Sequence, residues 1–320
     1  MRGSFDRVDY SLRPAKHAER RMLAEIFRRL RPFRPPEDYT YIGLGSIWFA
    51  DFILFHRLLG VRRMVSIERE VASTARVRAN RPFRSIRLDF RDTSVALPAL
   101  RWNQPYYLWL DYDDPLNTNI LADMTIVAAR ARSGTALAVT VQSHRAPDAA
   151  ATADDGGPSA IERFRDRFGR ERVPEGVFDE DLFGWRFATL SRRMLIAEIE
   201  ATLATRNAVP DIEQMSFRPI CEIEYEDGAK MTTIVGMFVA ARDEARFADC
   251  EFGRLDFVDA PGGLLRIRVP ILTMREIRQL ERCLPRVSAG LIKVGSVPPN
   301  HARRFADLYR YFPNFAALEH

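Results

Sequence analysis

The segment Tyr39-Thr40-Tyr41-Ile42-Gly43-Leu44-Gly45-Ser46 decides the fold, because a short apolar run leads directly into a glycine turn. Three further apolar runs follow, and they end on the acids Glu68, Asp89 and Asp111. The acids lie 21 and 22 residues apart, which fits one strand plus one helical crossover per step. The pattern predicts a parallel α/β sheet, whose ligands bind beyond the carboxyl ends of the strands.

The glycine turn and the acids at the strand ends together predict a nucleotide site. Glycine lets the backbone come close to a ligand, a task assigned here to Gly43, Gly45 and the adjoining Ser46. Glu68 lies 23 residues after Gly45, close to the spacing of an acid that binds ribose hydroxyls. A carboxylate suits this task because it accepts short, charge-assisted hydrogen bonds from two neighbouring hydroxyls.

Both acids also have simpler explanations as ordinary residues at the end of a strand. Glu68 can be a solvated acid that pairs with Arg69 or Arg63. For Asp89, the nearby Asp92 and Arg91 offer local alternatives. The sequence leaves these alternatives open.

The composition is that of a globular protein, with 320 residues of which 47% are hydrophobic and 28% charged. No stretch approaches the roughly 20 apolar residues of a membrane span, and the N-terminus shows no apolar signal region. Cys221, Cys250 and Cys283 lie far apart and favour neither a disulfide framework nor a zinc site. These features predict a cytoplasmic protein without a membrane partner.

The positive charge is carried almost entirely by arginine, since only three of the 48 basic residues are lysines. The net charge is +5, and many of the arginines lie in the first quarter of the chain. A basic face of this kind predicts a nucleic-acid partner that binds through its phosphates. The same arginines also fit solvated helix faces in an arginine-rich protein. The oligomeric state is not indicated.

The predicted sheet continues after the fourth strand. A fifth strand is predicted over residues 135–141, and strands over 216–225 and 230–240 flank Asp227-Gly228, which is a strong hairpin signal. An apolar stripe predicts an N-terminal helix over 14–31. The expected order is therefore five parallel-type strands followed by an antiparallel hairpin.

This order and spacing resemble those of class I S-adenosylmethionine-dependent methyltransferases, over roughly residues 39–240. The resemblance implies a Rossmann-like three-layer α/β sandwich, with a mostly parallel seven-stranded sheet and a C-terminal antiparallel hairpin. It also implies S-adenosylmethionine as the cofactor. Gly43-Leu44-Gly45 would pass under its methionine part, Glu68 would bind the ribose, and Asp89 with Phe90 would hold the adenine.

The chain departs from that family at two positions beside the glycine turn. Tyr41 stands where an acid usually precedes the first glycine, and Ile47 stands where a third glycine is common. The resemblance also suggests three regions. These are an N-terminal helical extension (1–37), a methyltransferase domain (38–245) with an insertion near 145–210, and a C-terminal α+β extension (246–320) with two short strands within 254–270.

The segment Asp111-Tyr112-Asp113-Asp114-Pro115-Leu116 is expected to form a catalytic loop. It loosely resembles the Asp-x-Asp-Pro-aromatic loop of tRNA guanine-N2 methyltransferases and the Asp/Asn-Pro-Pro-aromatic loop of amino-methylating enzymes. Such loops orient an acceptor amine, and Leu116 stands where an aromatic ring would stack on a base. Two alternatives are a magnesium site, as in some O-methyltransferases, and a turn that caps the following helix.

The catalytic candidates are Asp111, closest to the transferred methyl group, Asp113 or Asp114 as acceptor-orienting acids, and His144 after the fifth strand. His144 is a candidate general base or an ordinary surface histidine. The sequence thus predicts an S-adenosylmethionine-dependent methyltransferase whose acceptor is a nucleic acid or nucleotide. The rivals are a nucleotide- or partner-binding module without turnover, and a dinucleotide-dependent oxidoreductase, which the hairpin and the imperfect glycine turn disfavour.

Overall fold

Eight β-strands and ten α-helices form within the part of the chain that the computed structural model describes, which is residues 13–69, 74–147, 149, 157–285 and 294–313. The strands are β1 (Thr40–Leu44), β2 (Arg63–Ile67), β3 (Ile86–Asp89), β4 (Tyr106–Pro115), β5 (Thr135–Gln142), β6 (Met215–Glu226), β7 (Lys230–Ala240) and β8 (Gly263–Arg266). The helices are α1 (Pro14–Arg29), α2 (Ala50–Leu59), α3 (Thr74–Asn80), α4 (Thr93–Ala96), α5 (Thr118–Arg130), α6 (Ala160–Phe168), α7 (Gly184–Asn207), α8 (Glu244–Asp249), α9 (Met274–Glu281) and α10 (Pro299–Leu308).

The strands form one sheet in the order β3-β2-β1-β4-β5-β7-β6-β8. The first five strands in sequence pair in parallel, and β7 is antiparallel to both β5 and β6. The predicted Rossmann-like sheet with its closing hairpin is confirmed. The sheet has one strand more than predicted, because β8 pairs in parallel with β6. The described stretch 254–270 contains this one strand rather than two.

Two layers of helices cover the sheet and complete the three-layer sandwich. On one face, α1 and α2 pack over an aromatic stack in which the rings of Phe27, Tyr107 and Tyr39 have centroids 4.5 and 4.1 Å apart. On the other face, α5 and α7 pack against the sheet and each other. Phe27, Leu23 and Leu30 are fully buried, so the apolar stripe predicted for α1 is confirmed. The helix shares the core of the sheet.

The segment 111–115 differs from its prediction as a loop. Strand β4 continues through it to Pro115, with a register shift after Asp111, because β5 extends alongside as far as Gln142. The side chain of Asn117 then caps α5 by accepting backbone hydrogen bonds from Asn119 and Ile120. The interpretation of this region as a helix cap therefore holds for Asn117.

The C-terminal helices α9 and α10 pack in a small apolar cluster of their own around Leu280 and Phe305. Thr273 begins α9 with the capping box that its sequence predicts, because Thr273 and Glu276 bind each other's backbone N–H. Among the described helices, none is long and apolar enough to cross a membrane.

Candidate active site

The predicted site residues lie at the carboxyl edge of the sheet, where β1, β2, β3 and β4 end side by side. Backbone hydrogen bonds continue beyond the strands and hold these ends together. The N–H of Gly45 donates to the carbonyl oxygen of Ile67 (2.6 Å), and the N–H of Glu68 donates to that of Asp89 (2.9 Å). The glycine turn and the two acids are therefore immediate neighbours.

Gly45 leaves room for a neighbouring carboxylate at the turn. A Cβ atom at this position would lie 3.2 Å from Oε2 of Glu68 and would collide with Oγ of Ser66. Glu68 is buried, and the buried Oγ of Ser66 has no hydrogen-bond partner among the described residues. Glycine backbone, hydroxyl and carboxylate form a narrow polar cradle here. These groups fit the hydroxyls and charges of the nucleoside ligand that the sequence implies.

Asp89 is held by arginine within the chain. Nε and Nη2 of Arg91 donate to its two carboxylate oxygens at 2.6 and 2.7 Å, and this pairing holds the pKa of Asp89 below its ordinary value. The guanidinium of Arg78 lies 5.0 Å from the ring centroid of Phe90. The local pairing of Asp89 with Arg91 is thus present, and the adenine role of Asp89 and Phe90 stays a prediction.

Tyr41 stands where class I methyltransferases usually have an acid, and its hydroxyl is hydrogen-bonded to a carboxylate. That hydroxyl donates to Asp51, in the first turn of α2. A Cβ atom on Gly43 would lie only 2.5 Å from the same hydroxyl, so the Tyr41 side chain packs directly against the turn. Burial raises the pKa of Asp51. The sequence interpretation missed Asp51, although an acid soon after the glycine turn was available as a signal.

Asp111 is bound by Lys16 of α1, another residue that sequence reasoning missed. Nζ of Lys16 lies 2.6 Å from Oδ1 of Asp111 and 2.9 Å from Oε2 of Glu19. Lys16 and Glu19 are almost completely buried, whereas 26% of the Asp111 side chain is exposed. Among the described residues, no hydrogen bond reaches Oδ2 of Asp111. We call Lys16, Glu19 and Asp111 the lysine cluster.

The lysine cluster carries more negative than positive charge, since one ammonium faces two carboxylates. Burial raises the pKa of Asp111, Lys16 opposes this effect, and Glu19 and Asp113 add to it. The ammonium also lies 4.4 Å from the ring centroid of Trp109, within the range of a cation–π contact. A partly exposed carboxylate with a raised pKa and one open oxygen can accept a proton from a bound molecule.

The remaining catalytic candidates are more exposed than Asp111. Asp113 and Asp114 are exposed, and Asp114 forms a solvent-exposed ion pair with Arg69 at 3.6 Å. His144 is exposed, and its carbonyl oxygen accepts a hydrogen bond from the N–H of Gly184 at the start of α7. In the described ranges, no group of three or more His, Cys, Asp or Glu side chains could hold a metal ion.

A second set of buried charges lies at the same edge of the sheet, near the ends of β6 and β8. Glu224 accepts from Nη1 of Arg192 (2.7 Å) on one carboxylate oxygen and from Arg266 (2.5 Å) on the other. Arg192 also pairs with Glu222 through Nε (2.5 Å). We call Arg192, Glu222, Glu224 and Arg266 the arginine cluster. The indole of Trp185 covers the Arg266 guanidinium at 4.7 Å.

A sequence profile of the family described as "Putative O-methyltransferase" matches residues 8–320. No curated protein matches the sequence. The S-adenosylmethionine-bound structure of CalS10, an amino pentose methyltransferase from Micromonospora echinaspora, is 18% identical with a TM-score of 0.30, covering 38% of this chain and 49% of that one. Cofactor-bound Rv0187 from MTB is 13% identical with a TM-score of 0.38, covering 72% and 82%. Streptomyces venezuelae DesVI is 14% identical with a TM-score of 0.36, covering 70% and 94%.

Proposed function

We propose that this chain, which belongs to the O-methyltransferase family whose profile matches residues 8–320, methylates a hydroxyl oxygen of a small molecule. Its methyl donor is S-adenosylmethionine. The observation that carries the proposal is the state of Asp111. Its Oδ1 is fixed by Lys16, while Oδ2 has no protein partner among the described residues, and the side chain is partly open. An acid of this kind, at the point where the pairing of β4 with β5 shifts register, suits a general base.

The proposed reaction needs positioning and the removal of one proton. S-adenosylmethionine, when bound, supplies an electrophilic methyl group and keeps the electron pair of the broken carbon–sulfur bond. The acceptor oxygen forms the new bond to the methyl carbon, and its proton passes to Oδ2 of Asp111. A hydroxyl proton is far less acidic in the free molecule than in the transition state, so a carboxylate with a raised pKa is a better base than an ordinary aspartate.

The cradle at the glycine turn supports the donor-binding part of the proposal. Glu68 offers a buried carboxylate for the ribose hydroxyls, and the unpartnered Oγ of Ser66 lies beside it against Gly45. A buried polar atom without a partner costs free energy, which a polar ligand group within reach would recover. Gly43, Gly45 and Ser46 then supply backbone that can approach the ligand closely.

The acceptor is proposed as a small molecule because the site offers no platform for a nucleobase at the expected place. Leu116, which occupies the position of the base-stacking aromatic ring in the resembling loops, is fully buried in the core. Asp113, Asp114 and His144 are exposed and are proposed to orient the acceptor. Polar groups at the rim of a site typically set orientation rather than supply most of the affinity.

The experiment is methyl transfer from labelled S-adenosylmethionine to separated cell fractions of small molecules, RNA and protein. We expect label in the small-molecule fraction. Treatment with base then separates two products, because a methyl ester is hydrolysed and the methyl ether expected from a hydroxyl acceptor is stable. Asp111→Asn should reduce transfer at least about a hundredfold, within the usual range for a general base. Asp166→Asn, an exposed acid on α6, is the matched control and should transfer normally.

Three outcomes would contradict the proposal in different ways. Label in RNA alone would contradict the small-molecule acceptor and favour the prediction that the arginines bind a nucleic-acid acceptor. Donor binding without transfer to any fraction would favour the binding module. Full activity of Asp111→Asn would remove Asp111 as the base while leaving the reaction class in place.

A further inference from the structure

We infer that Lys16 and Glu19 of α1 are positioning residues that act on Asp111 in opposite directions: Lys16 fixes one oxygen and favours the ionised form, and Glu19 limits that effect. The inference deepens the proposed function, because it rests on Asp111 as the proton acceptor. It makes the N-terminal helix a working part of the site, in addition to its place in the core.

The contacts of Lys16 carry the first step. Its ammonium bridges Oδ1 of Asp111 (2.6 Å) and Oε2 of Glu19 (2.9 Å), and only 2% of its side chain is exposed. The backbone N–H of Lys16 also donates to Asp227 in the turn between β6 and β7 (2.9 Å). The base of the side chain is thereby fixed to the hairpin, and its end is fixed to β4. The position of Oδ1, and with it the direction of Oδ2, follows from these two anchors.

The placement of Glu19 carries the second step. Oε1 of Glu19 accepts a hydrogen bond from the hydroxyl of Thr233, which bonds to Thr140 (2.8 Å), which in turn accepts from the indole N–H of Trp109 (2.9 Å). This chain of hydrogen bonds holds the fully buried Glu19 against the sheet. The negative charge of Glu19 partly cancels the effect of the Lys16 ammonium on Asp111, so the ionised form of Asp111 is stabilised less than it would be by Lys16 alone.

The use of lysine at position 16 is itself informative. Arginine supplies 45 of the 48 basic residues, yet this buried position holds one of the three lysines. An ammonium is a compact point charge, whereas a guanidinium is a planar fork suited to pairing with one carboxylate at two atoms. A point charge fits between two separate carboxylates and over the ring of Trp109.

Other charged and titratable groups also face Asp111 and remain unchanged in the test. They are Tyr41 on β1, Asp51 on α2, Asp113 on β4 and Tyr225 on β6, and Arg20 on α1 lies beside three of these four groups. Burial raises the pKa of both tyrosines well above their ordinary value, so they stay neutral near pH 7. Asp113 and Asp51 are present in every variant compared, and they do not affect the sign of a difference between variants.

The test measures the pKa of Asp111 directly, by NMR titration of protein labelled at the aspartate side-chain carboxyl carbon. The signal is assigned by its loss in Asp111→Asn. Lys16→Met keeps the length of the side chain and removes the charge, and we expect the pKa of Asp111 to rise by at least about one unit. Glu19→Gln keeps an acceptor for Thr233 and removes the competing charge, and we expect the pKa of Asp111 to fall.

Opposite shifts in the two variants separate this inference from a structural role, which would move both in the same direction or neither. Glu25→Gln and Arg28→Met remove an exposed ion pair of the same helix and should leave the pKa of Asp111 unchanged. Shifts of one sign, or none, would overturn the inference. If Lys16→Met does not fold, the inference is tested with Lys16→Arg and Glu19→Gln. Lys16→Arg keeps the charge and should leave the pKa of Asp111 near its original value, whereas Glu19→Gln should still lower it.

The measurement needs no acceptor, so its failure is distinct from that of the proposed function. Opposite shifts without methyl transfer would leave the inference standing and the proposed function wrong. Methyl transfer that depends on Asp111, together with an unmoved pKa in both variants, would leave the function standing and make Lys16 and Glu19 purely structural.

Discussion

The lysine cluster and the arginine cluster lie at the same edge of one sheet, and each contains charged side chains that are almost completely buried: Lys16 and Glu19 in the first, Arg192 and Glu224 in the second. In the arginine cluster, two guanidinium groups face Glu224 and Glu222, and both oxygens of Glu224 are bound by arginine. In the lysine cluster, one ammonium serves two carboxylates, and Oδ2 of Asp111 receives no hydrogen bond among the described residues. The first set is balanced in charge, and the second carries an excess of one negative charge.

The difference separates a structural use of buried charge from a chemical one. In the charge-balanced set, each carboxylate is paired with arginine, and its value lies in holding α7, β6 and β8 in one arrangement. In the unbalanced set, the pKa of Asp111 is raised, and a carboxylate of this kind responds to what binds beside it. Burial alone therefore does not distinguish the two sets. The charge balance and the open oxygen of Asp111 do, and they are the features on which its proposed role as a base rests.

The largest effect is expected from breaking the balanced set. Arg192→Met removes one cation and leaves Glu224, 1% exposed, with only Arg266 as its charged partner. Loss of one partner from a buried pair typically lowers the free energy of unfolding by about 3–5 kcal/mol. Urea unfolding measures it, with Arg172→Met as the control, since Arg172 pairs with Glu198 at the surface. A loss no larger than that of the control would mean that the arginine cluster does not hold these elements together.

The next effect concerns activity and leaves stability intact. Asp111→Asn should lower kcat about a hundredfold, equivalent to about 2.7 kcal/mol in the barrier. The folded pKa of Asp111 is raised, so its contribution to stability is present below the unfolded pKa and lost as the pH rises through the folded value. At a pH above the folded pKa, the variant should therefore unfold at the same urea concentration as the parent or a higher one. A large loss of stability would place Asp111 with the structural cluster.

Donor binding gives a third and smaller effect. Glu68→Ala should weaken the binding of S-adenosylmethionine roughly ten- to a hundredfold, about 1.5–3 kcal/mol for a lost charged hydrogen bond. Asp89→Ala should weaken it less, because Arg91 already occupies both oxygens of Asp89. Calorimetry on the two variants checks this order. The reverse order would mean that Asp89 exchanges Arg91 for the ligand and that the adenine role predicted from the sequence is the stronger one.

The sheet could be predicted from the sequence because its signals are local. Each of the first four strands shows an apolar run that ends on a glycine turn or an acid, and the Asp227-Gly228 turn marks the hairpin. The strand β8 could not be predicted as a parallel partner of β6, because four residues carry no periodic pattern and their pairing is a tertiary event. The extension of β4 to Pro115 likewise depends on β5 lying alongside it.

The candidate site was predicted only in part, since two of its charged residues, Lys16 and Glu19, come from helix α1, far from the strand ends in sequence. Glu68, Asp89 and Asp111 follow from strand ends, whereas Lys16 lies 95 residues before Asp111. A signal did exist: the buried stripe of α1 continues backwards from Phe27 and Leu23 to Lys16 at helical spacing. A charged residue on an apolar helical face indicates a buried partner, but the pattern does not say which acid it is.

The smallest effect is expected from an exposed ion pair with no proposed role in catalysis, which serves as a reference for the two buried clusters. Glu25 and Arg28 on α1 pair at 2.9 Å with side chains 29% and 46% exposed. A double-mutant cycle of Glu25→Gln and Arg28→Met should give a coupling of about 0.2–0.5 kcal/mol in the free energy of unfolding, because water and salt screen exposed charges. The coupling should fall further in 1 M salt, where the screening length is about 3 Å. The two buried clusters should keep most of their effect under the same conditions. Equal salt sensitivity of all three sets would mean that water reaches the clusters, and the contrast between balanced and unbalanced buried charge would then lose its physical basis.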